Sequence, residues 1–76
     1  MTQIAFDLPD PIFSALRLPP GEFMTEMRIA AAVQWYAERR LSQGKAAEVA
    51  GLTRAAFIHE LWQRKVPAIQ VEADEL

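Results

Sequence analysis

The stretch SQGKAAEVAGLTRAAFIHELWQ, residues 42–63, constrains the fold more than any other. Ala47, Gly51 and Phe57 stand at the spacing that lets two short helices cross steeply over a turn of three or four residues. The first seat needs a small side chain, because the second helix passes over it. The second needs a left-handed backbone, which glycine adopts without a Cβ clash. The third anchors the second helix in the core, with Ala46, Val49, Ala50, Leu52 and Leu61 supplying the remaining packing. Ser42 can cap a helix running to Ala50, and Thr53 can cap one over residues 54–65. The expectation is a helix-turn-helix over about 42–65.

The flanks read differently. Residues 3–8 alternate, with Ile4, Phe6 and Leu8 on one side and Gln3, Ala5 and Asp7 on the other, which predicts an N-terminal β-strand. Pro9 ends it. Asp10 can cap a short helix over residues 11–16, with Pro11 at its first position. Pro19, Pro20 and Gly21 break the chain before a long helix over residues 22–40. That helix has two apolar stripes, Phe23–Met27–Ala30–Ala31 with Gln34, and Ile29–Val33–Tyr36. A surface that wide belongs to a central helix with neighbours on two sides, and Trp35 and Tyr36 are expected in the core. After Pro67, Ile69 and Val71 alternate with Gln70 and Glu72, which predicts a short strand over residues 68–72 before a loose acidic tail. The fold class is thus mostly α: an N-terminal strand, a short helix, a long central helix, a helix-turn-helix, and a C-terminal strand and tail over about 66–76.

At 76 residues the chain makes a single domain, and one of that size buries only about 60% of its unfolded surface. With no cysteine there is no disulfide to brace it, which points to a homodimer or another partner and to a reducing, cytoplasmic compartment. One histidine and no cysteine leave little to build a metal site, and no cofactor is expected. No apolar run is long enough to span a bilayer, and MTQIAFDLPDP has no basic segment leading into a long apolar one, so neither a membrane anchor nor a signal peptide is expected. The net charge of −2 conceals a division. From Arg39 to Lys65, six basic residues face Glu48 and Glu60, giving +4, whereas the last eleven residues hold Glu72, Asp74 and Glu75 and no base. Two oppositely charged segments suit two different partners.

The basic segment lies on the helix-turn-helix. Reading helices of this kind contact bases through their N-terminal part in the major groove. Thr53, Arg54 and Ala55 occupy that part, and the Arg54 fork matches O6 and N7 of guanine. His59 lies further along the outward face, with Ile58 and Gln63 beside it. Ser42, Gln43 and Lys45 open the preceding helix, where backbone amides and a lysine suit phosphate, and Arg39 and Arg40 extend that surface. Ile58 and Trp62 are awkward on a DNA face and fit a core or a protein partner better. No catalytic residues are assigned: the hydroxyls of Ser14 and Ser42 lie far in sequence from His59, and the glutamates are spaced like ordinary helix-surface charges.

Taken whole, the chain resembles the small prokaryotic proteins of uncharacterised protein family 0175. The resemblance rests on IAFDLPD at the N-terminus, LPPGEF entering the long helix, AAVQWYAERRLSQGKAAEVAGLTRAAFIHEL through the core, and the ending RKVPAIQVEADEL. LSQGKAAEVAGLTRAAF is the most specific part. The chain departs from the family pattern at Gln43, where an apolar residue is more usual, and at Val66, where glycine is common. The resemblance implies an antitoxin-like protein, often encoded beside a PIN-domain-type ribonuclease toxin. Such a protein binds its own promoter as double-stranded DNA and its toxin through another surface. Ile69, Val71, Glu72, Asp74 and Glu75 of the apolar and acidic tail are the expected toxin contacts. The alternative is a protein-interaction module that keeps the helix-turn-helix only as a fold and binds no DNA.

Overall fold

Four helices make up the computed structural model, which describes residues 1–5 and 7–68: α1 (Asp10–Leu16), α2 (Pro20–Ala37), α3 (Gln43–Ala50) and α4 (Arg54–Gln63). The described residues are all-α with no strand among them, which corrects the expected fold class of helices flanked by strands. The alternation at residues 3–8 meets no partner strand among the described residues, and a lone strand leaves its amides and carbonyls unpaired. Ile4 accordingly stands 77% exposed. At the other end Ala68 forms a bend, and residues 69–72 of the expected strand lie outside the described residues.

Proline decides where the first two helices begin. Pro9 and Pro19 occupy the cap positions in extended conformation, and Pro11 and Pro20 lie within the first turn. A proline is tolerated there because the amide it lacks would have no helical partner. α1 therefore starts at Asp10 rather than being capped by it, and α2 starts at Pro20, two residues before the expected Glu22. No side chain caps either helix. α3 and α4 are capped as expected: the Ser42 hydroxyl accepts from the Lys45 amide at 3.2 Å, and the Thr53 hydroxyl accepts from the Ala56 amide at 3.1 Å.

Each helix closes in the same way. A left-handed residue follows it, and the next amide reaches back five residues to a carbonyl of the last turn. The left-handed residues are Arg17, Arg39, Gly51 and Lys65, with φ of 56°, 63°, 73° and 59°. The returning bonds run from Leu18 to Phe13, Arg40 to Trp35, Leu52 to Ala47 and Val66 to Leu61, at 2.8–3.1 Å. Only one of the four seats is glycine, so only one helix end was marked by residue type. Of the three ends without glycine, two depart from expectation: α2 stops at Ala37 rather than 40, and α4 at Gln63 rather than 65.

The core gathers Ile29, Ala32, Val33 and Tyr36 of α2, Ala46, Ala47 and Ala50 of α3, and Phe57 and Leu61 of α4. Three alanines on α3 let both neighbours approach closely, which is what a steep crossing requires. Tyr36 meets Phe57 edge to face, with ring centroids 5.7 Å apart, and its hydroxyl donates to the Ala68 carbonyl at 2.8 Å. That bond brings the chain beyond α4 back onto α2. Trp35, expected in the core, is 37% exposed. One residue further round the helix than Tyr36, it lies under the Arg40 guanidinium, 5.6 Å from the ring centroid. α1 contributes no buried residue and is held to α2 through Phe13 against Phe23, centroids 5.1 Å apart.

Candidate nucleic-acid interface

The turn between α3 and α4 consists of Gly51, Leu52 and Thr53. Its glycine is required twice over. The left-handed φ disfavours a side chain, and a Cβ there would come within 2.9 Å of the Arg28 guanidinium. Arg28 reaches across from α2: its Nε donates to the Val49 carbonyl at 2.8 Å and an Nη to the Glu48 carbonyl at 3.3 Å. A cation on the last carbonyls of α3 satisfies acceptors that the helix leaves open and suits the negative end of its dipole. Residue order gave no sign of this, because the partners lie 20 and 21 residues away.

A second arginine ties the far end. Arg64 donates to Glu26 of α2 at 2.9 Å and to Glu60 at 3.4 Å. The hydrogen bond it donates to Glu26 raises its pKa further above the ordinary arginine value, against the opposing effect of burial, so the tie stays charged at any working pH. With Arg28 at one end and Arg64 at the other, α3 and α4 are set in register on α2.

The expected DNA residues divide into groups. Ser42 and Thr53 use their hydroxyls as caps, at the first turns of α3 and α4. Lys45 is exposed and pairs with Glu48 at 3.1 Å on the same surface. Thr53, Arg54, Ala55 and His59 are exposed on α4. His59 points away from the buried line of Phe57 and Leu61, with the Gln63 amide nitrogen 3.0 Å from its Nε2. Arg39 holds the left-handed seat after α2, and Arg40 is engaged by the Trp35 ring and by Glu38 at 3.7 Å. Gln43 departs from expectation: it is 6% exposed, inside the core. Its Oε1 accepts from Arg54 Nε at 2.5 Å, which joins the first residue of α3 to the first residue of α4. Ile69, Val71, Glu72, Asp74 and Glu75, the expected toxin contacts, lie outside the described residues.

Beside this surface lies a concavity of about 450 Å³ lined by Gln43, Arg54, Ile58, Trp62, Val66 and Pro67. Trp62 is 69% exposed at its edge and Ile58 half-buried within it. Residues 54, 58 and 62 fall on one stripe of α4 by their spacing, with the charged residue at the start and the apolar ones following. Among the described residues no group of acidic or histidine side chains is placed to hold a metal ion, and no helix is long and apolar enough to cross a membrane.

Comparison with known proteins places the chain without assigning its task. A "UPF0175 protein" from Aeropyrum pernix is 32% identical over 65 residues, covering 86% of this chain and 68% of that one. No solved structure matches it. The sequence profile of the uncharacterised protein family UPF0175 matches residues 1–76, and the chain belongs to that family.

Proposed function

We propose that this protein binds double-stranded DNA through α4 and serves as the DNA-binding antitoxin of a toxin–antitoxin pair, repressing its own promoter as a homodimer. One observation supports the DNA reading above the others. The first turn of α4 stands exposed, with its cap formed and Arg54 at its head, on a second helix locked to the first over a three-residue turn. Helices of this arrangement enter the major groove by that end. Arg54 and Thr53 would meet base edges and His59 would lie further along the groove. The Lys45–Glu48 pair is solvent-exposed and weakly held, so phosphate can displace Glu48. The antitoxin part of the reading comes from the family resemblance and from the acidic composition of residues 72–75.

The test is fluorescence anisotropy with the duplex upstream of the protein's own gene and a scrambled duplex, over a salt series. Specific binding that weakens steeply with salt is expected, since each phosphate contact releases counterions. Loss of discrimination in Arg54→Ala, with a nearly uniform weakening in Lys45→Ala, would match the assigned roles. Binding to neither duplex at low salt would remove the DNA reading.

The concavity at Trp62 favours a second reading, a protein-interaction module. An exposed tryptophan beside Ile58, Val66 and Pro67 has the chemistry of a binding anchor. Under that reading Trp62→Ala abolishes partner binding and Lys45→Ala, outside the concavity, leaves it intact.

A further inference from the structure

We propose that Gln43 is a positioning residue for Arg54, fixing the guanidinium for base contact before DNA arrives; this rests on the DNA reading above. Gln43 is the one buried polar side chain among the core residues described, at 6% exposure. The other buried residues described are alanines and aromatic or aliphatic side chains. An amide there is unfavourable unless its polar atoms are bonded, and an aliphatic side chain would pack the same space without that requirement. One bond that rewards the amide runs to Arg54, at 2.5 Å, and no buried side-chain nitrogen or oxygen among the described residues lacks a partner.

The geometry gives this bond a consequence for recognition. Arginine normally loses much rotamer freedom when it docks on a base, and holding it beforehand lowers that loss. Gln43 is itself immobilised by burial in the first turn of α3, so it offers Arg54 a fixed acceptor. With Nε held by Gln43, the direction in which the guanidinium leaves the head of α4 is constrained before any base is met. A guanine presents O6 and N7 as the matching pair of acceptors. Gln43 therefore touches no DNA in this scheme, contrary to its expected place on the phosphate surface. It acts on base choice through its neighbour.

The experiment begins by selecting bound duplexes from a random pool with the wild-type protein. The ratio of specific to random affinity is then measured for wild type, Gln43→Leu, Gln43→Met, Gln43→Glu, Arg54→Ala and the double variant Gln43→Leu/Arg54→Ala. Gln43→Leu is expected to lower the ratio by about tenfold, leaving random-duplex affinity and melting temperature near wild type. Gln43→Glu, whose carboxylate accepts from the same nitrogen, should restore the ratio. In the Arg54→Ala background Gln43→Leu should have no further effect on it. In the free protein the Arg54 Nε proton should exchange with solvent more slowly in wild type than in Gln43→Leu; Gln43→Met repeats every comparison if the leucine variant does not fold. An unchanged ratio in the apolar variants, or an equal loss in the Arg54→Ala background, overturns the proposal while leaving the DNA reading intact. If no sequence is enriched, the DNA reading falls and the proposal falls with it.

Discussion

The two ends of α2 support very different structures. In its C-terminal part Ile29, Ala32, Val33 and Tyr36 are buried in one core with residues of α3 and α4. Its N-terminal part carries α1, which buries nothing fully and leaves Ile12 and Leu16 at 38% and 55% exposure. Met24 and Ile4 are exposed in the same half of the chain. The radius of gyration, 13.6 Å, exceeds the ~11 Å of a compact chain this long. The difference teaches that apolar content alone does not make a core. The N-terminal part holds Ile12, Phe13, Leu16, Leu18, Phe23 and Met24, but one aromatic pair to hold α1, whereas the rest interlocks small residues at a crossing with large ones beside it.

Four substitutions in the packed half and one in the other probe that contrast, from the largest effect to the smallest. Phe57→Ala, at a site of 0% exposure, should destabilise by about 3–5 kcal/mol and leave the chain largely unfolded in thermal circular dichroism. A small effect there would mean the two halves are alike. Gly51→Ala forces a left-handed alanine against Arg28 and should destabilise by about 1–2 kcal/mol in urea titration. Tyr36→Phe keeps the packing and removes the bond to Ala68, so about 1 kcal/mol should be lost, read by the same titration. Lys65→Gly should stabilise by about 0.5–1 kcal/mol in the same titration, because the left-handed seat suits glycine better. Leu16→Ala, on the exposed face of α1, should change stability by under about 0.5 kcal/mol, and a large loss would show that α1 folds as one with the rest.

Most of the helix-turn-helix was legible in residue order. Ser42 and Thr53 cap, Gly51 turns, and Ala47 and Phe57 pack, each through neighbours a few positions away. The reading failed where the deciding partner was distant or missing. Alternation at residues 3–8 satisfied the local rule for a strand, but a strand exists only with another beside it. Gln43 looked like a surface residue because glutamine usually is one, and its bond lies with Arg54, eleven positions on. Arg39 and Lys65 hid two helix ends, since left-handed seats are normally marked by glycine or asparagine. Of the site, Thr53, Arg54, Ala55 and His59 are exposed on α4 as expected, while the Trp62 concavity had no signature in the chain order.

By itself the sequence determined the helices and the corner between the last two, because caps, prolines and glycine act within a turn or two of their own position. Tertiary structure decided the rest. Whether an alternating segment pairs, which aromatic of the Trp35–Tyr36 pair enters the core, and which residue an arginine holds all depend on surfaces that come together only when α2, α3 and α4 are packed. Burial and long-range hydrogen bonds are properties of that packing, and they turned Gln43 from a surface residue into a partner of Arg54.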